Sequence, residues 1–207
     1  MEARIPESEQ AMEPNVDQIG LMQEASAGLS QDEETGLVRA ALQDPEAFAG
    51  LYRRYVRPVY RYFYSRSGAP AEAEDLTAQV FLEAFQGLRR YHDNGPFAAW
   101  LFTIVRRRAI DNLRRRRPVT ALSEQVRATD ASADPLAQAV RDEQLGQLKR
   151  LLAELKEADQ ELLRLRFAAG LSFGEMARIL RRSEAAVKMK LYRLLRRLES
   201  QLEADHE

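Results

Sequence analysis

Residues 97–117 read FAAWLFTIVRRRAIDNLRRRR, and the fold turns on this stretch. Its first nine residues carry no charge, and its last twelve hold seven arginines against the single Asp111. Phe97, Trp100, Leu101, Ile104, Val105 and Leu113 recur at spacings of three and four, the signature of one helical face turned inward. Trp100 lies on that stripe and is expected in a core rather than against a base. Arg106, Arg107, Arg114 and Arg117 are expected to point outward. Such a helix is anchored at one end and offers cations at the other. With Tyr91 and His92 just upstream, the patch suits a single strand, whose bases lie against rings while phosphates meet guanidinium groups. A basic helix end that merely complements the helix dipole is the plainer alternative.

The same periodicity extends upstream. Asp44-Pro45 offers an N-cap followed by a proline at the first helical position. After it, Phe48, Leu51, Tyr52, Tyr55, Val59, Tyr60 and Phe63 form one face, with a kink expected at Pro58. Gly68-Ala69-Pro70 breaks the pattern, and Leu76, Val80, Phe81, Ala84, Phe85 and Leu88 then mark a further helix. No stretch alternates with period two. The predicted fold is all-α: two small helical domains joined by a flexible linker. The boundaries are an acidic disordered tail over 1–34, a helical domain over 35–117, a linker over 118–140 and a second helical domain over 141–203. Residues 1–35 carry one basic and nine acidic side chains, whereas 36–117 carry fifteen basic and eight acidic ones. An acidic tail before a basic body is a pattern of interaction proteins, often of nucleic-acid binders.

Downstream of the linker, Leu145, Leu148, Leu151, Leu152 and Leu155 line one helix, and a second ends at Gly170. Ser172 and Glu175 then have the spacing of a capping box. Ser183 is placed to cap the next helix, with Glu184 in its first turn. A short capped helix, a tight turn and a longer capped helix held by Val187, Leu191, Leu194, Leu195 and Leu198 make a helix-turn-helix. A recognition helix reads base edges from its first turns and holds phosphates with neighbouring cations. Glu184, Ala185, Lys188 and Met189 are therefore the candidates for base contact, and Arg182, Lys190 and Arg193 for backbone contact. A solvated basic face on a helical hairpin is the competing possibility.

The 207 residues include no cysteine and two histidines, His92 and His206. No phosphate-cradling glycine motif is present, so no catalytic residue, metal site or cofactor is expected. The N-terminus lacks the apolar region of a signal peptide, and the longest uncharged run falls well short of the roughly 20 residues needed to span a bilayer. A soluble, cytoplasmic protein without membrane insertion is expected.

Taken together, AEDLTAQVFLEAFQGLRRY, FAAWLFTIVRRRAIDNLRRRR and LSFGEMARILRRSEAAVKMKLYRLLRRL resemble bacterial RNA polymerase sigma factors of the extracytoplasmic-function (ECF) type, in the sigma-70 family. The likeness covers roughly residues 37–202. It implies a sigma region 2 bundle over 35–117 and a region 4 helix-turn-helix over 141–203. Glu74, Asp75, Leu76, Gln79, Val80 and Phe81 would dock on the clamp helices of the largest subunit of core RNA polymerase. Tyr91, His92, Asn94, Arg106, Arg107, Arg114 and Arg117 would meet the minus-ten element and hold a flipped base of the opened promoter DNA. The helix-turn-helix would read the minus-thirty-five element, and the linker would run toward the RNA exit path. An anti-sigma factor is a further partner the resemblance implies. Three positions depart from the family: Arg107 where asparagine is common, Arg181 where the turn usually has glycine, and Met189 where a small polar residue is usual. Two other functions remain open from the residues: a helix-turn-helix regulator that binds duplex DNA without polymerase, and an inactive sigma-like protein that titrates a regulator. The first leaves the Asp75 face and the 97–117 helix without a role.

Overall fold

The computed structural model describes residues 31–91, 95–115 and 135–204. These residues are helical almost throughout, and no strand occurs among them. Helix α1 spans Gln31–Gln43, α2 Phe48–Ser67, α3 Pro70–Gly87 and α4 Phe97–Arg115. After the linker come α5 (Pro135–Glu154), α6 (Glu157–Leu163), a π-helical turn (Arg164–Ala168), α7 (Phe173–Leu180) and α8 (Glu184–Ala204).

Local chemistry explains the boundaries. The Asp44 carboxylate accepts a hydrogen bond from the Glu46 N–H at 2.9 Å, and Pro45 opens the 3-10 turn that leads into α2. The helix then continues through Pro58. It ends at Gly68, whose φ of 65° is left-handed and whose N–H donates to the Tyr64 carbonyl; a residue without Cβ adopts that conformation at no steric cost. Helix α1 begins at Gln31, four residues before the expected start at Thr35. Helix α5 begins at Pro135, inside the stretch read as linker; a proline at the first helical position needs no amide partner there.

Helices α2, α3 and α4 pack around an aromatic centre in which Tyr62, Phe63, Phe97 and Phe102 are almost fully buried. Phe81 meets Phe48 and Tyr52 edge-on, and Tyr62 meets Phe63 and Phe102 in the same way. Edge-to-face pairs suit the ring quadrupoles and add to the burial. Trp100 packs against Phe97 and Tyr91 and over Gly87, so its place is structural. Leu113, in contrast, is 54% exposed.

The second domain is built on α6, α7 and α8. Buried residues of the two domains form one contiguous cluster running from Val38 to Leu191. Helix α7 packs on α4, and the π-helical turn packs on α2. In that turn the Ala169 N–H reaches the Arg164 carbonyl at 2.9 Å, and Arg166 donates to the Leu171 carbonyl while lying over the Phe173 ring.

Candidate nucleic-acid and polymerase interfaces

The helix-turn-helix forms as its caps dictate. Ser172 Oγ accepts from the Glu175 N–H at 3.2 Å, and Glu175 Oε2 accepts from the Ser172 N–H at 2.7 Å, a complete capping box. In the turn, the Arg181 N–H donates to the Arg178 carbonyl and the Arg182 N–H to the Ala177 carbonyl. That pair of bonds requires a left-handed residue between them, and Arg181 supplies it with φ 53°. Ser183 Oγ then accepts from the Ala186 N–H at the start of α8. Val187, Leu191, Leu194 and Leu198 are buried beneath α8. Asp159 of α6, only 8% exposed, anchors the same helix through Lys190 at 2.8 Å and Arg197 at 3.4 Å. The Lys190 hydrogen bond holds the Asp159 carboxyl below its ordinary range.

Arg182, Glu184, Ala185, Lys188, Met189, Lys190 and Arg193 are all exposed, six of them on α8 and Arg182 in the turn before it. Lys190 is shared with Asp159, so its charge is partly spent within the domain. Lys188 sits 5.8 Å from the centre of the Tyr192 ring, and Met189 is an apolar tip, 52% exposed, in a cationic field.

Helix α3 divides differently from the expectation. Leu76 (8% exposed), Val80 (0%) and Phe81 (5%) are buried in the core. Glu74, Asp75 and Gln79 are exposed on the other side. Two positions not expected from the sequence, Leu82 (59% exposed) and Phe85 (45%), extend that side as an apolar strip. Phe85 had been read as a core residue, yet it only touches Phe48 at the rim. Leu76, Val80, Phe81, Ala84 and Leu88 are buried as the spacing predicts, and Phe85 alone departs from it.

Three arginines of α4 are paired. Arg107 and Arg108 both bond Glu83 of α3, the latter at 2.8 Å, so Arg107 meets a carboxylate where the family's asparagine would be neutral. Arg106 Nε donates to Glu161 Oε1 at 2.7 Å, and its Nη1 donates to the Ile179 carbonyl at 3.2 Å. Glu161, 7% exposed, also accepts from the hydroxyl of Tyr62 at 2.9 and 3.1 Å and faces Arg66 at 3.5 Å. Burial first, and the Glu161 charge second, push the Tyr62 hydroxyl well above the usual tyrosine range. Arg114 is exposed, and His92, Asn94 and Arg117 lie outside the described residues. Tyr91 donates its hydroxyl to the Gly95 carbonyl at 2.5 Å, which ties off the loop before α4. At the start of α4 the Glu34 carboxylate accepts from the Ala98 N–H at 3.1 Å and from the Tyr55 hydroxyl, so α1 caps α4.

Tyr62 and Glu161 were not singled out from the sequence. Tyr62 follows Tyr55 and Val59 at helical spacing, yet the expected face has Tyr60 and Phe63 and not Tyr62, which is 1% exposed. Nothing local marks Glu161 as its partner, 99 residues away.

Between α4 and α8 lies a groove of about 1050 Å³. Ile110, Leu113 and Met189 give it apolar walls, and Arg106, Arg182 and Arg193 give it a cationic rim. Among the described residues no group of three or more histidines or carboxylates is placed to hold a metal ion, and no helix is long and apolar enough to cross a membrane.

A helix-turn-helix with exposed cations on its second helix, joined to a helical bundle with an arginine-rich helix, defines a nucleic-acid-binding transcription protein. Comparison with known proteins narrows the class. Residues 51–119 match the family described as sigma-70 region 2, and residues 145–198 match sigma-70 region 4. The chain is 33% identical over 184 residues to the ECF RNA polymerase sigma factor ShbA of Streptomyces griseus, covering 81% of this chain and 96% of that protein. It is 35% identical over 163 residues to the ECF RNA polymerase sigma factor BldN of Streptomyces coelicolor, covering 77% of this chain and 62% of that protein. The fold is similar to CnrH, solved in complex with the cytosolic domain of CnrY, with a TM-score of 0.61 and 25% identity over 83% of this chain and 98% of that one. It is also similar to the sigma factor RpoE of Bartonella quintana, solved with the anti-sigma factor NepR, with a TM-score of 0.57 and 20% identity over 76% and 98% of the two chains. The chain belongs to the ECF sigma factors of the sigma-70 family, and as an alternative sigma factor it acts in promoter recognition.

Proposed function

We propose that the chain docks on core RNA polymerase through the exposed side of α3, reads the minus-thirty-five element with α8, and holds the opened minus-ten strand with α4 and the loop before it. The domain boundaries follow: region 2 over 35–117 and region 4 over 141–203, with the linker between them. The observation that carries this reading is the division of region 2 into two functional sides. Glu74, Asp75 and Gln79, with Leu82 and Phe85, form a mixed acidic and apolar strip on α3. Helix α4 carries Arg106, Arg107, Arg108, Arg114 and Arg115, all in its second half. A duplex-binding regulator would need only the second domain and would leave both sides of region 2 without work.

The chain supplies no catalytic residue; nucleotide addition is the polymerase's chemistry. Strand opening is offset by contacts made only to the flipped base and the freed strand, a balance of a few kcal/mol per base. The site of action is the cytoplasm, where polymerase and chromosome are. An anti-sigma factor is a further partner, and the groove between α4 and α8 suits an amphipathic helix with an acidic face by complementarity of charge.

Run-off transcription with bacterial core polymerase tests the reading. The wild-type chain is expected to give new start sites that share a paired upstream motif. Asp75→Ala combined with Leu82→Ala, both on exposed positions, is expected to weaken polymerase association at least about tenfold while the helical circular dichroism stays unchanged. Full association by that variant would remove α3 as the docking helix.

A further inference from the structure

We infer that Met189 sets a base preference in α8, by laying its thioether chain against the C5-methyl of a thymine in the minus-thirty-five element. The inference rests on the assignment of α8 to that element given above. It adds the kind of base edge that one position of the helix selects: an apolar one.

The helix itself puts Met189 foremost. Val187 and Leu191, each 1% exposed, fasten α8 to its domain. Met189 stands two residues from both, and a step of two residues is about 200° around a helix, so it lies on the face turned away from the core. There it is 52% exposed. Its neighbours in the chain are long cations, and both are drawn aside. The Lys190 ammonium is held by Asp159 of α6 at 2.8 Å, and the Lys188 ammonium sits 5.8 Å from the centre of the Tyr192 ring. One turn earlier on the same face stands Ala185, also exposed, whose side chain is too short to screen the thioether. Arg182 before the helix and Arg193 one turn after Met189 are exposed cations, suited to the phosphates on either side.

The chemistry of the tip selects its partner. A thioether has no hydrogen-bond donor and is a weak acceptor, so it cannot replace the water that a polar base edge gives up. In the major groove cytosine presents an amino donor, adenine a donor and an acceptor, and guanine two acceptors. Thymine alone adds a methyl group to its acceptor. Against the first three, Met189 strands a polar group; against thymine it buries apolar surface on both sides. Its unbranched chain can change rotamer to meet the methyl, which a branched side chain does less readily.

The test uses holoenzyme assembled from core polymerase and the full-length chain, which selects from promoters randomised in the minus-thirty-five element. The wild-type motif should hold a thymine that responds to deoxyuridine, a replacement that removes the methyl and nothing else. Promoter binding should weaken about fourfold on that exchange. With Met189→Ala the same exchange should cost nothing. Selection by that variant should lose its thymine at this position while the rest of the motif stays. A wild-type motif in which no thymine responds to deoxyuridine would overturn the inference. So would a Met189→Ala chain with the wild-type loss, the result expected of a tip that serves only the groove toward Ile110 and Leu113. The underlying reading fails in a different way: a holoenzyme that selects no upstream motif at all would remove α8 as the reader of the element, and the inference with it.

Discussion

Arg181 shows how far a single residue can be read. Its place in the turn, where the family has glycine, predicts a left-handed backbone, and φ is 53°. A side chain there is strained by about 1 kcal/mol relative to glycine. Arg181→Gly is therefore expected to stabilise region 4 by up to about 1 kcal/mol in urea melts, and an unchanged midpoint would mean that the arginine side chain makes up the difference. Tyr55 and Tyr62 give a pH dependence. Burial, together with Glu34 and Glu161 respectively, raises both hydroxyls above the ordinary value of about 10. The folded chain then holds protons that the unfolded chain releases, so their contribution is complete below about pH 10 and declines as pH rises beyond it. Denaturant midpoints should fall from about pH 10 upward, and the fall should shrink in a Tyr55→Phe, Tyr62→Phe double variant. The spacing of Tyr62 from Tyr55 and Val59 is helical, yet the expected face passed over it; its partner was not legible either, because a tertiary hydrogen bond leaves no trace in local pattern.

At the scale of the helix, α4 was legible as a rod with an apolar and a cationic half, yet its arginines are less free than their number suggests. Glu83 on α3 holds Arg107 and Arg108 together. Glu83→Gln should release both, and the salt dependence of single-strand binding should steepen by about 0.7 in log–log slope for each arginine that gains a phosphate. An unchanged slope would place those two arginines away from the DNA. Helix α3 teaches a different point. Its period identified the buried stripe, but Leu76, Val80 and Phe81 were assigned to a partner through resemblance, and they are buried in the core. Helix α5 begins inside the stretch expected to be linker. Asp134-Pro135 repeats the Asp-Pro start signal of 44–45 amid Ala, Ser and Thr, a composition that favours a linker.

For the molecule as a whole, the order of helices, the two domains and the helix-turn-helix were all present in periodicity and caps, which are local properties. The contact of α4 with α7 was not, because it depends on shape complementarity between surfaces separated by a linker. That contact joins the buried residues into one cluster, so thermal unfolding of the wild-type chain should be a single transition. Calorimetry on Glu161→Ala, which strands Tyr62 and Arg106, should resolve two. A wild-type profile already split into two would mean that the domains melt independently.

The engagement of Arg106 by region 4 also bears on where the free protein spends its time. Two weak DNA-binding faces on one chain would act together as a bivalent ligand, each raising the effective concentration of the other along any stretch of duplex. A chromosome offers millions of such stretches, enough to absorb the whole supply of a scarce protein. With Arg106 held by Glu161 and by the Ile179 carbonyl, the chain would remain monovalent toward DNA through α8.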